Sequence, residues 1–116
     1  MTTLLDETRL TTLRELYNIE RRHTLLALFE EQAGMGLATI AQALVDGDTN
    51  AVQAAAHRLA GCAANFACAT LHASALRLAH PVEPPTAEGL KQQQRQLQSL
   101  VADSIVALRE HLNNPP

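Results

Sequence analysis

Aromatic residues are scarce in this chain: one tyrosine, two phenylalanines and no tryptophan make up 3% of 116 residues. Leu, Ala, Val and Ile therefore have to fill the interior of a chain that is 47% hydrophobic. Sheets favour β-branched and aromatic residues, so this composition points away from strands and towards closely packed helices. Cysteine is limited to Cys62 and Cys68, which is no disulfide framework and suits a reduced, cytoplasmic compartment. No basic segment followed by an apolar run opens the chain, so no secretory signal is expected. No uncharged apolar run approaches the roughly 20 residues of a membrane helix. Positive charge is not in excess either. The formal net charge is −3, whereas a nucleic-acid binder wants a basic stripe. There is no GxxxxGK[ST] run or other phosphate-cradling glycine loop, so nucleotide binding is not expected. What remains is a length suited to one domain with its own core. The expectation is a single all-α domain over 1–116, structured over about 6–112, with a tail at 113–116.

Helical periodicity marks five segments. The first spans about Asp6 to Tyr17, with Asp6 as candidate N-cap and a stripe of Leu10, Leu13 and Leu16. The second spans about Arg22 to Val45. Gly34 and Gly36 interrupt it, each weakening a helix by about 1 kcal/mol relative to Ala. One long helix is the preferred reading and two shorter ones the alternative. Asp46-Gly47-Asp48 ends it, with Gly47 suited to the left-handed cap position. The third segment is capped by Asp48 or Thr49 and runs to about Phe66. The fourth runs from Thr70 to His80 and stops at Pro81. A loop with three prolines in Pro81–Thr86 leads to the fifth segment, about Ala87 to Leu112. Long helices joined by short connections suggest an antiparallel four-helix bundle, with the short first helix packed over one end.

The third segment carries the chemistry. On a wheel at 100° per residue, Val52, Ala55, Ala56, Leu59, Cys62, Ala63 and Phe66 fall on one face, expected to be buried. The opposite face holds Asn50, Gln53, Ala54, His57, Ala60, Gly61 and Ala64. Exposed helix positions usually carry Lys, Glu, Gln or Arg. Here His57 stands among residues with little or no side chain. Gly61, one turn after it, costs about 1 kcal/mol against alanine and removes bulk beside the imidazole. This pattern suits a histidine that another macromolecule must reach.

The run His57-Arg58-Leu59-Ala60-Gly61-Cys62 resembles the signature of histidine-containing phosphotransfer (HPt) domains, roughly HxLKGSxxxxG in one-letter code. Leu5-Asp6, Phe29, Leu44 with Asp46-Gly47-Asp48, and Leu71 to Leu78 extend the resemblance over most of the chain. It implies that His57 accepts a phosphoryl group, that Gly61 gives clearance, and that Leu59 and Ala63 are core positions. It also implies a docking surface of Gln53, Ala54, Arg58, Ala60, Gly61 and Ala64. The implied partners are response-regulator receiver domains and, as a further source, a hybrid sensor kinase. The implied state is monomeric, with no nucleic acid and no membrane contact. No cofactor belongs to the chain itself, and Mg2+ is expected on the partner receiver. The implied role is a relay between receiver aspartates in a two-component system, without kinase activity of its own. Three positions depart from the pattern. Ala60 stands where the family has lysine, Cys62 where it has a small polar residue, and Ala67 at the later glycine. Arg58, Arg77 and Arg22 are candidate replacements for the missing cation, and Gln53 a candidate donor to a phosphate oxygen.

Two other readings stay open: a phosphorylation-incompetent adaptor that binds receivers, and a plain helical interaction module. Whether the chain stands alone or is the C-terminal part of a hybrid sensor kinase stays open as well. No metal site is expected. His72 and His80 are too far apart along one helix for an i,i+4 pair, His23 and His111 stand alone, and Cys62, Cys68 and a histidine match no regular zinc spacing.

Overall fold

A computed structural model describes residues 3–113, which form five helices and no strand. α1 (Glu7–Leu16) opens at Asp6, whose carboxylate accepts from the Arg9 amide at 3.1 Å. α2 (Ile19–Val45) begins three residues before the expected Arg22, because Asn18 caps it, accepting from the Arg21 amide at 2.9 Å. Arg22 is buried and turns back onto the end of α1. Its Nε donates to the Tyr17 carbonyl at 2.9 Å and its Nη2 to that of Arg14 at 3.0 Å. A cation there satisfies carbonyls that the end of a helix leaves without partners.

α2 is one unbroken helix through both glycines. A Cβ at Gly36 would sit in ordinary contact with Leu59, 3.6 Å from its Cδ1, whereas a Cβ at Gly34 would meet nothing. Burial of Leu26, Phe29, Ala33, Ile40 and Ala43 holds the helix together across its weak centre. Gly47 takes φ +67°, the left-handed geometry its position requires, and the Asp48 amide reaches back to the Ala43 carbonyl at 2.9 Å. Asp48, rather than Thr49, then caps α3 (Thr49–Asn65) by accepting from the Ala51 amide at 3.0 Å.

The turn into α4 (Ala69–Ala79) repeats this pattern with a different residue. The Cys68 amide donates to the Ala63 carbonyl at 2.9 Å, and Ala67 takes φ +64°. The amino-terminal segment is stitched to this turn, with the Asp6 amide on the Ala67 carbonyl at 2.7 Å and Thr70 Oγ1 on the Thr3 carbonyl at 2.9 Å. α4 ends before Pro81, and α5 (Ala87–Asn113) completes the fold. Of the tail expected at 113–116, Asn113 is the last residue of α5 and the rest lies outside the described residues.

α2 packs on α3 and α5, and α4 packs on the same two helices, closing a ring of four; α1 touches α2. The core is aliphatic, with Ile40, Val52, Leu71, Leu78, Leu97 and Leu108 fully buried. The scarce aromatics meet in it: Phe29 and Phe66 lie with ring centroids 5.3 Å apart. Arg109 of α5 pairs with Glu30 of α2 at 2.7 Å, a partly exposed pair of small energetic weight.

Candidate functional site

α3 presents its exposed residues where its neighbours leave a gap. Val52, Ala55, Ala56, Leu59, Ala60 and Ala63 are buried, which anchors the helix against both α2 and α4. His57, Ala54, Arg58, Gly61 and Ala64 are exposed, and Gln53 is half-buried. A Cβ at Gly61 would meet nothing within 4 Å. Among the described residues, nothing therefore asks for a glycine at this point, although it weakens the helix.

The buried face differs from the sequence expectation at two positions. Ala60, expected on the exposed face, is 1% exposed. α4 covers it, and Nδ1 of His72 donates to its carbonyl at 2.8 Å. Cys62, expected in the buried face, is half-buried, and its thiol reaches Oε1 of Gln32 at 3.5 Å. The simple wheel assumes one packing neighbour. With two, α2 and α4, the buried arc is rotated towards Ala60 and leaves Cys62 at the edge. There Cys62 lines a groove with Gln32, Met35 and Gly36 of α2 and Arg58 and Asn65 of α3. Met35 is 64% exposed at its rim.

The candidate cations separate. Arg22 is committed to the α1–α2 junction, which removes it as a replacement for the lysine. Nη2 of Arg77 donates to Ser74 Oγ at 2.9 Å, and the residue lines a hollow with His80 and the 81–86 loop. Arg58 and Arg77 both remain as exposed cations: Arg58 adjoins His57 in the chain and faces the α2 groove, and Arg77 shares the hollow of His80.

The structure also joins two residues that the sequence left apart. Nε2 of His80, at the carboxyl end of α4, lies 3.4 Å from Nδ1 of His57. The rings meet edge to face at 81°, with centroids 5.4 Å apart. The signal for this pair was the tight turn at Phe66–Cys68. The contacts His72–Ala60 and His80–His57 step away from that turn together as the chain doubles back. Burial pushes the Cys62 thiol up and pushes Cys68 up to about 12, which disfavours the thiolate at both. Among the described residues, no group of three or more His, Cys, Asp or Glu side chains is placed to hold a metal.

A family model, described as Hpt domain, matches residues 24–112. The chain belongs to the Hpt domain family. Domains of this kind are the histidine phosphotransfer modules of two-component phosphorelays and interact with receiver domains. No curated protein and no solved structure matched the chain. Among the described residues, no helix is long and apolar enough to cross a membrane.

Proposed function

We propose that His57 is the phosphoryl-carrying residue of a relay, taking the group from one receiver aspartate and giving it to another. The observation that carries this reading is the exposed imidazole with Gly61 one turn on, open to solvent where the fold has no need of a glycine. A neutral imidazole offers a nucleophilic nitrogen near neutral pH. Phosphoryl transfer asks the protein chiefly for positioning and charge stabilisation. The rigid α3 supplies the positioning. The acidic pocket and its Mg2+ belong to the receiver. Ala54, Arg58, Gly61 and Ala64, with Gln53 at the margin, form the docking surface, extended by the α2 groove around Met35. Ala60 contributes there only through the backbone it packs. An interface of this kind falls near or below about 1,200 Å².

In the same reading, the chain is a single cytoplasmic domain over 1–116 that acts as a monomer. α2 to α5 form an antiparallel four-helix bundle with α1 at one end. The ring of helix contacts supports this arrangement.

One observation favours the adaptor reading: position 60 is a buried alanine, so the family's cation is missing beside the acceptor. Phosphotransfer from a labelled receiver separates the two. Wild type should acquire acid-labile label, and His57→Gln none. Receiver binding without label on the wild type would favour the adaptor.

A further inference from the structure

We propose that His80 is a positioning residue that holds His57 in the tautomer with its proton on Nδ1, leaving Nε2 free to attack phosphorus. This rests on the reading of His57 as the acceptor. The observation is the contact between Nδ1 of His57 and Nε2 of His80, 3.4 Å apart. Centroids at 5.4 Å are close to the most that such a contact allows, so the rings meet nitrogen to nitrogen and do not stack. Two facing imidazole nitrogens can hold only one proton between them, so the contact admits either direction, and the proposed one has His57 donating and His80 accepting. The separation is long for a hydrogen bond and suits a pair that tightens when a partner excludes water.

With neutral His80 accepting at Nε2, its own proton sits on its Nδ1, and His57 donates from Nδ1. The lone pair on His57 Nε2 then forms the N–P bond. The P–O bond to the receiver aspartate breaks, and its electron pair returns to the carboxylate. The His57 ring keeps the Nδ1 proton and gains positive charge, which the His80 lone pair stabilises. The return step reverses each bond change. A doubly protonated His80 cannot accept. It donates to Nδ1 of His57, moves the remaining proton to Nε2 and blocks the nucleophile.

The charged groups around the pair are few. Arg58 adjoins His57, and Arg77 and Glu83 line the hollow that His80 shares. α5 contributes glutamines there, Gln92, Gln93 and Gln96, and α2 faces the α3 groove with uncharged side chains.

The test is the tautomer of His57, read by long-range 1H–15N correlation on the intact chain, with phosphotransfer measured in parallel. Wild type at neutral to mildly alkaline pH should show the Nδ1–H form. His80→Leu should shift it towards Nε2–H, the form free histidine favours, and slow transfer by about tenfold or more. His80→Gln, which keeps a hydrogen-bond acceptor at this point, should restore both. A His57 tautomer that is Nε2–H in the wild type, or unchanged in His80→Leu, overturns the proposal. Loss of the acceptor role of His57 would appear separately, as failure of the wild type to take label whatever its tautomer.

Discussion

At the scale of single residues, the site and its supports make opposite demands, and substitutions separate them. Gly61 costs helix stability without relieving any internal contact. Gly61→Gln should therefore raise the melting temperature, by the equivalent of about 0.5–1 kcal/mol. It should also sharply reduce transfer from a phosphorylated receiver. Calorimetry and label transfer on the same preparation check both signs. Ala67 shows the reverse case. Its φ of +64° is strained for a residue with a Cβ, and the family pattern has glycine there. Ala67→Gly should stabilise the chain only slightly, by about 0.5 kcal/mol once the extra backbone entropy of glycine is subtracted, as read by chemical denaturation. Cys68 links stability to alkali. The folded thiol keeps its proton up to about 12 while the unfolded one releases it near 9.0. The unfolded state thus binds fewer protons between those values, and stability falls as pH rises through that window. Cys62, also raised by burial, adds to the same slope. Replacing Cys68 with alanine should flatten the alkaline decline in denaturation curves taken from pH 8 to 11.

At the scale of elements, periodicity and capping made most of the chain legible. The five helices fall where leucine and alanine spacing marks them, and Asp6, Gly47 and Pro81 bound them as their chemistry requires. Gly34 and Gly36 do not break α2, because tertiary burial on either side outweighs local propensity. The start of α2 was missed. Asn18 follows directly on the residue that closes α1, so no loop announces the new helix. Asn18→Ala should cost about 1 kcal/mol of unfolding free energy, and amide exchange should show the loss concentrated at the α1–α2 junction. A wheel drawn for one neighbour misassigned Ala60 and overstated the burial of Cys62, which packs at the edge of the core. How far round a helix burial extends depends on how many partners it has, and that is a property of the assembled fold. The His57–His80 contact was out of reach for the same reason. Residues on different helices meet only once the turn between them is fixed, and here that turn hangs on an alanine in a glycine's conformation.

At the scale of the whole molecule, the arrangement is a helical scaffold that carries the imidazole of His57 exposed on its surface. Two packing neighbours fix α3, an aliphatic core fixes those neighbours, and the gap between them exposes His57. The chain itself offers no nucleotide loop, and among the described residues no side-chain group is placed for a metal. If His57 is the acceptor, the phosphoryl group should both arrive and leave through its ring. The most direct test loads the chain from one labelled phospho-receiver, removes that receiver, and adds a second, unlabelled one without ATP. The account predicts label on His57 after the first step and its passage to the second receiver's aspartate in the next. Failure of the first step with receiver binding intact, or label lodged on another residue, would contradict it.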